Sequence, residues 1–288
     1  YYRYETPFSS VCEEEYRNVY GENLKDGLIW LFVQNEKGYP FRVKYYNLLN
    51  KLYCENYYKK LYAWCDARGV SLTGHSVEET FFFTQMWGGA DCATSYLFEH
   101  IPAIDNLARD GTAEISAKSI GSVAAQMGKK LVLTETFGCS GYGVTPKELK
   151  SIAEFQYFGG VNVMCQHLYP YSVAGRGRID HPPVFGPHGN WNEGFKVFND
   201  YFARLSYIIV NTKEIAKVGV INPVRDIWLD YVRDEDYESV KNTENEFKEF
   251  LTVLRKSGVE YQLIDERILE RHGKAENGVL KVGECVYD

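Results

Sequence analysis

The order of segments predicts an α/β protein: the C-terminal half of a (β/α)8 barrel, followed by the start of a flavodoxin-like α/β domain. Two observations carry this reading. Strand-like and helix-like stretches alternate as β-α-β-α-β-α-β-α between residues 70 and 210, which implies a parallel sheet with helices outside it. The first residue with useful polar chemistry after each strand-like run also recurs evenly. These residues are His75, Asp105, Glu135 and His167, at intervals of 30, 30 and 32. A barrel of this type spends about 30 residues per unit and builds its site at the strand ends. Because a helix precedes the first of these strands, the four units are assigned as strands five to eight. Residues 1–213 then form a partial barrel, and residues 214–288 a partial flavodoxin-like domain.

Each element has its own signal. Tyr45, Leu48, Leu49, Leu52, Tyr53, Tyr57, Leu61 and Trp64 recur at helical spacing, predicting a long helix over about 42–67 that Gly69 stops. Val70-Ser71-Leu72-Thr73 reads as a short buried strand, and Val77–Met86 as a helix. Ile101–Asp105 is a weaker strand. Ile115, Ile120, Val123, Ala124 and Met127 mark a helix closed by Gly128, with Lys129 and Lys130 where a helix C-terminus favours cations. Leu131–Thr134 is a strand. Thr145-Pro146-Lys147-Glu148 is a capping box with proline at the first helical position. Val161–Cys165 is the next strand, and a helix follows near 194–210. Beyond Ala216, Lys217–Ile221 and Val259–Ile264 read as strands. Between them, Thr243-Glu244-Asn245-Glu246 reads as a second capping box and Gly258 as the helix end. No Gly-rich phosphate loop follows the first of these strands, so no nucleotide is expected there.

Composition removes several classes of function. The 288 residues carry 32 Lys and Arg against 39 Asp and Glu, a net charge of −7 without any basic cluster, so nucleic acid is not an expected partner. No apolar run reaches the ~20 residues of a membrane span. Seven cysteines show neither C-x-x-C pairing nor zinc-like spacing with histidine. They read as reduced structural thiols, favouring a cytoplasmic setting. No signal peptide is visible, and the chain opens at Tyr1 and closes at Asp288 as though cut from a longer protein. Tyrosine numbers 23. A phenol offers a stacking face and a polar tip, which suits either carbohydrate or a Tyr-rich core.

The candidate chemistry gathers at the strand ends. Glu135 precedes a turn containing Gly138, Gly141 and Gly143, where backbone approaches a ligand closely. A carboxylate there serves as nucleophile or general base, or as a structural ion-pair partner. Glycosidic cleavage needs a second carboxyl, and Glu79 is the candidate, with helix-start charge as its bland alternative. His75 either binds a sugar hydroxyl, acts as acid/base, or is a satisfied core histidine. Asp105 either holds a hydroxyl or makes an Asx turn. His167, Tyr169 and Tyr171 supply an imidazole and two aromatic faces, and Trp87 is a further platform candidate. No G-x-S-x-G or metal-ligand cluster stands out.

The stretches Ser71–Glu79, Ile101–Asp105, Ser122–Gly138 and Gly160–His167, in that order, resemble the bacterial glycoside hydrolases of the α-L-rhamnosidase type (glycoside hydrolase family 106 and relatives). The resemblance covers most of 11–222. It implies a catalytic barrel followed by an α/β domain, a carbohydrate substrate, and a catalytic Glu ending the seventh strand, which falls on Glu135. It also implies a partner acid on strand four, which would lie before Tyr1. The upstream acids Glu5 and Glu13–Glu15 read as loop and helix-start charges. A calcium ion is implied by the resemblance alone, with no ligands fixed. A non-catalytic carbohydrate-binding barrel is the competing expectation.

Overall fold

A computed structural model describes residues 6–109, 114–233 and 237–288; Glu5 lies outside them. The chain starts with helix α1 (Ser10–Tyr20), whose first turn is capped by the Ser9 hydroxyl accepting from the Cys12 amide. A single turn, α2 (Leu24–Gly27), follows. Helix α3 (Tyr39–Tyr53) opens with proline in its first turn, passes through a π turn at Cys54–Tyr58, and continues as α4 (Lys59–Asp66). This is the long helix that the spacing predicts.

The next two elements differ from expectation. Strand β1 is only Thr73–Gly74, paired with Ile101 and Pro102, rather than Val70–Thr73. Pro102 has no N–H for the ladder, and Val70 is half exposed. The helix expected over Val77–Met86 shrinks to one turn, α5 (Phe82–Gln85). Ahead of it the chain turns at Glu78, with φ of +61°, and buries Glu79 against backbone amides instead of continuing a helix.

Three units then follow the predicted order. Strand β2 (Ile101–Asn106) leads to α6 (Glu114–Gln126), β3 (Leu133–Thr136) to α7 (Pro146–Phe158), and β4 (Val163–Gln166) to α8 (Phe195–Val210). The sheet is parallel throughout, in the order β1-β2-β3-β4. The capping box is present: the Thr145 hydroxyl accepts from the Glu148 amide while the Glu148 carboxylate accepts from the Thr145 amide. Helices α6 and α7 meet at glycine. A β-carbon on Gly121 would stand 2.0 Å from the Gly159 carbonyl oxygen, so only Gly allows this approach.

After Ala216 come β5 (Val218–Ile221), α9 (Val224–Asp230), α10 (Glu238–Lys256) and β6 (Tyr261–Ile264), with β5 and β6 parallel. Then α11 (Glu266–His272) leads into an antiparallel meander of β7 (Gly273–Glu276), β8 (Val279–Val282) and β9 (Cys285–Tyr287). The second expected capping box is not one. Thr243 lies inside α10, which starts five residues earlier at Glu238. Glu244 points inward and accepts from the Phe82 amide at 2.7 Å.

Two apolar cores hold these parts together, and each draws on residues before and after Ala216. One joins Ile104, Ile120, Val123, Phe137 and Val161 to Ile264, Ile268 and Tyr287. The other joins Tyr45, Tyr46, Leu48 and Phe82 to Val220, Trp228 and Leu263. No helix among the described residues is long and apolar enough to cross a membrane.

Candidate active site

Parallel register sets the site. Asp105 pairs with Glu135, and Glu135 with Cys165, so these three side chains lie on one face of adjacent strands. The alternate residues fix that choice. Thr134 and Thr136 are buried on the opposite face, where both hydrogen-bond Gln156 of α7. Glu135 is thereby turned away from the helix layer.

Its carboxylate sits between two imidazoles. Glu135 Oε2 lies 3.3 Å from His75 Nε2, and Oε1 lies 3.9 Å from His167 Nε2. The other His75 nitrogen, Nδ1, is 2.8 Å from the Ser76 carbonyl oxygen. A carbonyl only accepts, so Nδ1 carries the proton and Nε2 is aimed at the carboxylate. Asp105 stands beside Glu135, and its Oδ1 is buried without a partner among the described residues. Burial, with a smaller push from the Glu135 charge opposing a pull from His75, raises the Asp105 carboxyl to about 6. The Glu135 charge on the next strand adds to that rise, because a like charge disfavours a second ionisation.

Glu79 does not join them. It is 1% exposed, and both of its oxygens accept from backbone, one from the Ser76 amide at 2.7 Å and one from the Asp105 amide at 2.9 Å. Burial holds its carboxyl well above the usual range. Glu79 is thus a clamp that ties the loop carrying His75 to the strand carrying Asp105, not a second free carboxyl beside Glu135. Trp87 is not a platform beside the carboxylates either. It packs in the second core, edge-on to Phe83 with ring centroids 5.8 Å apart, because the shortened α5 directs this segment inward.

The remaining candidates lie on the loop after β4. His167 is 8% exposed and faces Glu135. The Tyr169 ring lies over Gly186, where a β-carbon would come within 2.3 Å of it, and the side chain is largely exposed. Tyr171 stands fully in solvent. One pairing escaped the sequence reading, although the loop holding Asp180 and His181 is a candidate by its length. His181 Nδ1 is 3.0 Å from Cys139 Sγ, and its ring meets that of His167 edge-on at 5.7 Å. The two residues are 42 positions apart, so no local spacing pointed to them; the long loop holding His181 and the Gly-rich turn holding Cys139 were the available signals.

His75, Asp105 and Glu135 place donor atoms within 4.8 Å of one another. Calcium takes about six to eight oxygen ligands. Two carboxylates and an imidazole nitrogen are too few oxygens with one wrong donor, so this trio does not fit calcium and no step is assigned to that ion.

No family model matches the chain, and no curated protein matches it. Among solved structures, the fold defines a likeness to a glycosidase. A rhamnosidase from Novosphingobium sp. PP1Y superposes with a TM-score of 0.70 and 17% identity over 97% of this chain. The chain spans 26% of that protein's length. The likeness is one of fold.

Proposed function

We propose that this chain is the part of a glycoside hydrolase that carries one of its two catalytic carboxylates. In this reading the four-stranded parallel sheet is strands five to eight of a (β/α)8 barrel, and Glu135 is the nucleophile or general base. The observation that carries it is the Glu135 carboxylate, held at the C-terminal side of a parallel sheet between His75 and His167. The rhamnosidase fold likeness supports the same class and makes an α-L-rhamnoside the first substrate to try.

Roles follow from the geometry. His75 faces Glu135 through Nε2 while the Ser76 carbonyl holds its Nδ1. Asp105 and His167 hold sugar hydroxyls, and Tyr169 with Tyr171 offers faces for a pyranose ring. Asp105 lies beside Glu135 on the next strand rather than across a sugar from it, and Glu79 is buried. Neither serves as the partner acid, which we assign to strand four of the barrel. The test is hydrolysis of an aryl-glycoside panel by the full-length protein. Glu135→Gln should lower kcat by roughly 10²–10⁴-fold with folding unchanged. Full activity in that variant would overturn the assignment, and sugar binding without turnover in the parent would favour a binding protein.

A further inference from the structure

The turn after β3 and the loop before Pro182 bring together a thiol, an imidazole and a carboxylate. Cys139 Sγ lies 3.0 Å from His181 Nδ1, and His181 Nε2 lies 3.7 Å from Asp180 Oδ1. The backbone holds the two loops in register, since the Cys139 amide donates to the His181 carbonyl at 3.4 Å and the Gly141 amide to the Pro182 carbonyl at 2.9 Å. Cys139 is exposed to solvent. With Nε2 protonated toward Asp180, the Nδ1 lone pair faces the sulfur. A nucleophile within hydrogen-bond reach of a base that a third group orients is the arrangement of an activated side chain.

We propose that Cys139 is a modification site, at which His181 activates the thiol for exchange with small disulfides. In the reaction, the Cys139 S–H proton passes to His181 Nδ1 as the sulfur attacks one sulfur of the incoming disulfide. A new S–S bond joins Cys139 to that half, the original S–S bond breaks, and the departing thiolate takes the proton. No further oxidant is consumed. The inference stands apart from the glycosidase reading, yet the thiol lies near one of the same carboxylates. Cys139 is near enough to Asp105 for that carboxylate to disfavour its thiolate.

The molecule supplies its own control. Cys165 is also exposed, and its thiol is pushed up by the same causes, burial first and then a carboxylate, Glu135. Burial and the Asp105 and Asp180 charges do this to Cys139. Among the described residues, Cys139 and not Cys165 has an imidazole within hydrogen-bond distance, so a rate difference between the two reads the imidazole.

The experiment treats the protein with 5,5′-dithiobis(2-nitrobenzoate) and follows each cysteine by peptide mass. Cys139 should react about tenfold faster than Cys165, and dithiothreitol should remove the adduct. His181→Asn keeps a residue tolerant of the left-handed backbone found there, with φ of +48°. It should bring Cys139 down to the Cys165 rate and leave Cys165 unchanged. Equal rates in the parent protein, or a Cys139 rate that His181→Asn does not lower, would overturn the proposal.

Discussion

Asp105 shows how little space separates two outcomes for a carboxylate. It occupies the same register position as Glu135, but one of its oxygens is buried without a partner among the described residues while Glu135 faces two imidazoles. Burial raises it most, and the Glu135 charge adds to that. Removing the like charge makes ionisation easier, so in Glu135→Gln the Asp105 titration should move below about 6. Carbon-13 NMR of the labelled carboxyl reads this directly. An unchanged midpoint would mean that the two groups do not sense each other. Much of this site was legible beforehand, because strand ends in a parallel sheet advertise their polar residues. Glu79 was not. A carboxylate that serves two backbone amides looks in sequence like any acid at a helix start, and only the fold brings the Asp105 amide to it. The contact between Cys139 and His181 stayed hidden for the same reason.

At the scale of elements, local signals succeeded where they matched the backbone and failed where tertiary packing overruled them. Thr145-x-x-Glu148 and Thr243-x-x-Glu246 are the same pattern, yet only the first caps a helix. The second sits within α10, where its neighbour Glu244 is drawn into the core to meet the Phe82 amide. A pattern of four residues does not know that the helix has already begun. The two threonines therefore make a matched pair. Thr145→Ala removes a cap and should cost about 1 kcal/mol. Thr243→Ala replaces a β-branched residue in a helix interior and should be neutral or stabilising by a few tenths of a kcal/mol. Urea unfolding of both variants checks this, and equal losses would mean that α10 starts at Thr243 after all. The short β1 and the lost helix after it have a similar origin, since residues 77–81 answer to Glu79 and its amides rather than to their own apolar spacing.

For the whole molecule, the question is what couples the segment after Ala216 to the parallel sheet. The sequence places a boundary near 213, but the cores run across it, and a buried charge network does so as well. Arg267 of α11 bonds Asp265 Oδ2 at 2.6 Å, Asp91 Oδ2 at 2.5 Å and Asn50 Oδ1 at 2.7 Å. It thereby ties α3 and the segment after α5 to the segment after β6. Its guanidinium also lies over the Trp228 ring at 4.8 Å. The three charged groups are each at most 4% exposed, so neither aspartate has water to fall back on. Arg267→Met keeps most of the volume and removes the charge, leaving two buried carboxylates unpaired. That should cost about 3–5 kcal/mol near neutral pH. The sign of the pH dependence follows from Asp91. Burial already raises its carboxyl against the pull of Arg267, and without that pull Asp91 titrates further above its unfolded value. A carboxyl whose folded value is raised binds its proton more tightly when folded, so stability drops as pH rises through the gap between the unfolded and folded values. The Arg267→Met deficit should therefore shrink as pH falls toward 5 and be full at 8, as thermal unfolding across that range would record. A deficit independent of pH would mean that the arginine contributes packing against Trp228 rather than charge, and that the apolar cores alone join the two segments.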